Sequence, residues 1–268
     1  MLLPKNIFLV QRESPLRRRS IRAFTLVEML MVLIIIGLLA ALALPHIRGH
    51  TESVAIGAAT HQVVSDLSYA RQKAMSMRST VAMFFLTDII SLPGAIDMNL
   101  ATLPNEKQEV ERLRGGLYTH YAIAAFRRVG EQPGRGAFSY LTEWKSLPEK
   151  TFFATNNPLN ILNLPRDDHI PFPFSRSINE VELPYIAFDA EGRYIKLSAA
   201  FNGQKDPRWT PADAHISIAR GAVFYARNDQ EQIINLELQE IPPGNGTGNI
   251  VKVDFLTGRA KREQPLLP

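Results

Sequence analysis

The chain has 268 residues, 46% of them apolar and 21% charged, which excludes a collagen-like or wholly disordered protein. With no cysteine, disulfide scaffolds, Cys-zinc sites, iron–sulfur clusters and thiol nucleophiles are excluded too. Lys5, Arg12, Arg17, Arg18, Arg19 and Arg22 against Glu13 give residues 1–23 a net +5, so the total of +4 leaves −1 for the remainder. The basic character belongs to a leader, and a chain that lost it would have no global attraction to nucleic acid or acidic lipid.

Phe24 to Leu44 reads FTLVEMLMVLIIIGLLAALAL, with Thr25 and Glu28 as its only polar side chains. As a helix it rises about 31 Å, enough for a bilayer core. Arginines before it and none within it predict a cytoplasmic N-terminus and an external remainder. Glu28 is the anomaly, because an ionised carboxylate costs about 2.5 to 3.5 kcal/mol at the centre of a membrane helix. It either snorkels to the headgroups or meets a partner charge. A cut between Ala23 and Phe24 would create an α-amino group one turn away, in the same chain or a neighbouring one. Residues alone leave two other leaders open: a secretory signal with Ala41-Leu42-Ala43 as its cleavage site, and a twin-arginine signal at Arg18-Arg19.

The basic leader, the small Ala23, FTLVEML and the unbroken apolar run resemble the class III signal of type IV pilins and type II secretion pseudopilins. The resemblance implies that prepilin peptidase cuts after Ala23 and methylates Phe24, and that Glu28 is the assembly charge. It implies a helix bend at Pro45. The family prefers Gly before the cut, and Ala23 departs from that pattern. Other pilin or pseudopilin subunits, an inner-membrane assembly platform and membrane lipid are the implied partners.

Past Pro45, Ile56, Val63, Leu67, Ala70, Ala74, Met77 and Val81 step by three, four or seven, predicting an amphipathic continuation over 45–79. The stretch Ser65 to Phe85, with Ala70-Arg71 late in the helix, resembles the GspH/FimT group of minor pseudopilins, which a first strand follows. Strand-like runs are Thr80 to Leu86, Leu117 to Ala125, Ile216 to Ala219, Ala222 to Ala226, Ile233 to Leu238 and Ile250 to Phe255. Tyr185 to Phe188 and Arg193 to Leu197 flank Asp189-Ala-Glu-Gly192 as a hairpin, and Thr257-Gly258 turns the last run into Arg259 to Arg262. The hairpin phrases extend the resemblance into the C-terminal third. Long stretches near 88–116 and 144–183, the second rich in proline, read as loop insertions.

No nucleotide-binding loop, zinc-protease pair or nucleophile elbow occurs, so nothing supports an enzyme or a cofactor. His46 and His50 have helical metal-ligand spacing, with His61 further on, but lack an acidic third ligand in register, so no metal is expected. Arg166-Asp167-Asp168-His169 reads as a charged loop between prolines. Arg127-Arg128 and Arg259 to Arg262, near Phe126 and Phe255, are the segments that would touch phosphates if DNA were a partner. The charge of −1 argues against it.

The expected architecture is α+β: a leader over 1–23, a membrane-spanning and filament-core helix over 24–44, its continuation over 45–79, and an antiparallel β-domain over 80–268. The expected function is a minor pilin or pseudopilin of the inner membrane, its C-terminal domain periplasmic. A DNA-binding competence-type pilin and a bitopic envelope protein that keeps its leader are the alternatives.

Overall fold

The computed structural model describes residues 24–91, 94–101, 103–126, 138–197, 207–209, 212–227 and 233–263, with the backbone alone over 41–53, 207–209 and at 168 and 234. Ala23, Arg127 and Arg128, and the side chains of Pro45, His46 and His50, lie outside the described residues. The chain divides into two units, 1–49 and 50–268, and the single helix α1, Leu26–Met77, contributes to both.

In the first unit, residues 24–40 are exposed throughout, Leu26 to 82%. Among the described residues no helix is long and apolar enough to cross a membrane. The described side chains of this stretch end at Ala40, a rise of about 26 Å against the ~30 Å of a bilayer core.

In the second unit α1 buries Ala59, Val63, Leu67, Ala70 and Ala74 completely. This is the expected stripe, except that Ala59 takes the deep position while Ile56 is half-buried. Arg78, at φ 48°, ends the helix in the left-handed conformation. The amide of Ser79 reaches back to the carbonyl of Ala74 at 3.1 Å and that of Arg78 to Met75 at 3.4 Å, a Schellman closure.

The chain then enters β1, Val81–Phe85, whose five residues are all buried. A 3-10 turn, Asp88–Ser91, and helix α2, Glu106–Arg114, precede β2, His120–Ala125. The short strands β3 (Ser139–Tyr140), β4 (Lys145–Ser146) and β5 (Thr151–Phe153) follow, then β6 (Arg166–Pro171), β7 (Glu180–Phe188), β8 (Tyr194–Leu197) and β9 (Pro207–Trp209). Last come β10 (Ala214–Arg227), β11 (Ile233–Glu240), β12 (Ile250–Val253) and β13 (Ala260–Glu263). Among the described residues every pairing is antiparallel, in an eight-stranded sheet ordered β3-β2-β1-β7-β8-β9 with β4 and β6 attached, and a five-stranded sheet ordered β11-β10-β12-β13 with β5 on β10.

β1 is central because it is apolar on both faces, and Met83 stands opposite Ile123 of β2 and Ile186 of β7. α1 is keyed to this sheet by a polar cluster. Tyr121 donates to Asp66 at 2.6 Å, Lys145 pairs with the other oxygen of Asp66 at 2.9 Å, and Gln62 donates to Tyr121 Oη and the Ser146 carbonyl, each at 2.8 Å. Burial, and then the bond to Asp66, pushes the Tyr121 phenol well above its ordinary value.

Three expectations change. The stretches 88–116 and 144–183 are not bare loops: the first contains α2, and the second contributes β4, β5, β6 and the start of β7. Arg166-Asp167-Asp168-His169 lies on β6, which pairs with β7 through a register shift between Asp167 and Ile170. The bulged strand leaves Arg166 and His169 exposed, whereas Asp167 is buried and accepts from the His169 amide at 3.1 Å. The two runs Ile216 to Ala219 and Ala222 to Ala226 form one strand, β10, because the ladder to β11 begins at Gly221 opposite Glu240 and leaves no turn between them.

Candidate functional site

The first turn of α1 explains why the helix starts where it does. The backbone N–H and the hydroxyl of Thr25 both donate to Glu28 Oε2 at 3.0 Å, and the Glu28 N–H donates back to Thr25 Oγ1 at 3.2 Å. This is a reciprocal capping box, which satisfies donors that the first turn of a helix otherwise leaves open. Phe24 stands just before the cap and is 75% exposed. The structure therefore brings Phe24 and Glu28 into one turn and adds Thr25 between them. The T-x-x-E spacing is present in the sequence as the signal for this cap. Pro45 falls on the helical backbone of α1.

Behind this polar mouth, Leu26, Val27, Met29, Leu30 and their successors up to Leu39 present large apolar side chains to the surroundings. A helix that is apolar all round has no buried face of its own, and burial against lipid or other helices is what stabilises it. Exposed apolar surfaces of this extent are the kind that mark contacts with lipid or other proteins.

Residues 18–44 match the prokaryotic N-terminal methylation motif. The chain thus carries a prepilin-type signal, which supports a type IV pilin or pseudopilin family and implies processing by prepilin peptidase. No curated protein and no solved structure matches the chain.

The second residue singled out in the sequence, Arg71, lies on the buried half of α1. Its Nε–H is shared between the carbonyls of Gly192 and Thr257, both at 2.9 Å. Each carbonyl belongs to a tight turn. In the β7–β8 turn the Asp189 carboxylate accepts from the amides of Glu191 and Arg193 at 3.0 and 2.8 Å, and Gly192 takes φ 78°. In the β12–β13 turn Asp254 accepts from the amide and the hydroxyl of Thr257, both at 2.7 Å, and Gly258 takes φ 63°. The Thr257 hydroxyl and amide hold the Asp254 carboxyl below its ordinary value. The turns touch: a Cβ on Gly258 would stand 2.0 Å from the Gly192 carbonyl oxygen. Arg71 is thus a clamp joining one helix to two hairpins.

Among the described residues the remaining candidates do not converge. His61 is exposed, and among the described residues no group of three or more His, Asp or Glu side chains could hold a metal ion. Arg262 donates to Asn249 Oδ1 at 3.0 Å, and Lys252 beside it pairs with Asp213 at 2.6 Å. Acids stand among these bases, so the strand end does not form a continuous basic surface.

Proposed function

We propose that this protein is a minor pilin or pseudopilin of the GspH/FimT kind. It is made as a precursor, cut after Ala23, methylated on Phe24, held in the inner membrane as a single pass with its β-domain outside, and assembled into a filament. The observation that carries the reading is an exposed apolar helix that begins at the matched motif with Glu28 locked at its mouth. In this reading residues 24–44 anchor the subunit before assembly and line the filament core afterwards. The clamped hairpins and α2 keep the outer domain rigid enough to pack against neighbours.

Glu28 then has two tasks: it caps its own helix, and it neutralises the amino group of Phe24 in its own or an adjacent subunit. The attraction between the two charges grows as water is excluded around them and is offset in part by their desolvation. Losing only the acid leaves an unpaired amine among apolar side chains, which is worse than never burying the pair.

Two measurements test this. Mass spectrometry of the N-terminal peptide from native membranes is expected to find N-methylated Phe24; an intact Met1 leader or a start at Leu44 overturns the assignment. Glu28→Gln keeps acceptors for the Thr25 cap and removes the charge, whereas Glu28→Leu removes both. Both variants are expected to insert and to be cut, and both to be depleted in sheared filament fractions. Parent-level incorporation of Glu28→Gln would show that the residue serves as a cap alone.

A further inference from the structure

Beside α2 lies an open groove of about 870 Å³, within the size range of ligand sites. Its apolar lining is Tyr140, Leu141, Trp144, Pro173 and Phe174, with Leu103 on the α2 side. The aromatic part is held from behind. The Trp144 indole N–H donates to the Pro173 carbonyl at 3.0 Å, the Tyr140 hydroxyl donates to the Pro171 carbonyl at 2.8 Å, and the two ring centres are 5.6 Å apart. Both polar tips are engaged inside the protein, and Trp144 is itself buried, so the half-buried Tyr140 and Phe174 offer ring surface rather than hydrogen bonds, with the indole packed beneath them.

Four charges stand on the walls: Glu109, Arg112, Glu143 and Arg176. Glu109 grips Arg112 through two bonds of 2.8 and 2.6 Å, and Glu143 adds its negative field to the same guanidinium. That corner carries a surplus of acid. Arg176 is different, because among the described residues it makes no ion pair or side-chain hydrogen bond. Next to it the Ser175 hydroxyl oxygen accepts from the Tyr140 amide at 2.8 Å, which leaves its O–H free to donate. The groove therefore combines aromatic surface, one uncommitted cation, a spare hydroxyl donor and an acidic far wall.

We propose that the groove binds an extended peptide in which an aromatic side chain neighbours a carboxylate. The ring lies on the Tyr140–Phe174 surface with the buried Trp144 indole behind it, the carboxylate meets Arg176, and Ser175 donates to a peptide carbonyl. Openness favours a chain that enters and leaves over a metabolite, which would need burial over most of its surface. The Glu109–Glu143 corner fixes the direction by repelling the acid from that end. This inference is independent of the filament reading and concerns the folded β-domain alone.

The test uses the full-length chain in dodecyl maltoside carrying Trp209→Phe, which leaves Trp144 as the one indole, since the chain has two tryptophans. The probes are acetyl-Ala-Phe-Asp-Ala amide, its Phe-Asn twin and benzoate. The Asp peptide is expected to change Trp144 emission saturably, and the Asn twin to bind about fivefold more weakly. Arg176→Ala, an exposed position whose loss leaves far-ultraviolet circular dichroism unchanged, is expected to erase that difference. No saturable response, equal affinity for the two peptides, an undiminished preference in Arg176→Ala, or benzoate binding as tightly as the Asp peptide would each overturn the proposal.

Discussion

Replacing Arg71 by alanine removes the only side chain described as reaching both the β7–β8 and the β12–β13 turns. One charged N–H serves two carbonyls at 2.9 Å, so the loss counts as one strong three-centre bond rather than two. A hydrogen bond from a charged donor contributes about 1.5 to 3 kcal/mol, and the buried stem adds packing; about 2 to 3 kcal/mol is expected in all. For a unit the size of His50–Pro268 that lowers Tm by about 4 to 12 °C. Arg71→Lys separates geometry from charge. Lysine has a methylene where arginine has Nε, and its ammonium lies one bond further out, so the charge survives while the donor between the two carbonyls does not. The lysine variant is therefore expected to lose most of what the alanine variant loses. Thermal and urea unfolding followed by far-ultraviolet circular dichroism decides it. A lysine variant as stable as the parent would refute the clamp as a directional device and leave only a general attraction between a cation and two turns.

Gly258→Ala places a Cβ 2.0 Å from the backbone oxygen of Gly192 at φ 63°, whereas Gly192→Ala meets the movable Met75 Sδ at 2.9 Å. Both force a side chain into the left-handed region, but Gly258→Ala is expected to cost more, about 3 kcal/mol or above, measured by the same urea midpoints. Burial raises the phenols of Tyr118, Tyr121, Tyr140, Tyr185 and Tyr194 above their ordinary value, Tyr185 to about 12. With folded values above the unfolded value near 10, the contribution is complete below pH 10 and is lost as pH rises through the folded values. Absorbance at 295 nm is expected to show these phenols ionising together with unfolding. The fragment Thr51–Pro268 is expected to unfold cooperatively and to show strand signal, because α1 from Ala59 onward has its packing surface within that unit; a noncooperative transition would show that it depends on the preceding residues.

The sequence made local patterns legible and hid the distant ones. Val63, Leu67, Ala70 and Ala74 announce a packed helix face by spacing alone, and Asp189 with Gly192 announces a turn because both residues are needed within it. β4 and β5 have two and three residues, too few to establish a period. α2 carries only two buried apolar residues, Val110 and Leu113, among charges, so it reads as solvent-exposed chain until the domain is assembled. The clamp was invisible for a different reason: Arg71 finds its partners 121 and 186 residues away, and nothing near it in the chain signals them. At the N-terminus the motif was legible and its geometry was not, since the spacing of Thr25 and Glu28 does not by itself show that the hydroxyl meets the carboxylate.

Lys261 and Arg262 also gain a role from where they stand. They lie on β13, the last strand of the five-stranded sheet, and both are exposed. An edge strand offers unpaired backbone groups to any other strand that approaches, and long cationic side chains are an established guard against such fusion. At the opposite edge, β11 carries the exposed Glu237. Any assembly that holds copies of this domain side by side raises their local concentration far above that of a dissolved protein. Under those conditions charged margins keep neighbouring sheets from merging into a continuous ribbon, so subunits can be crowded together and still separate intact.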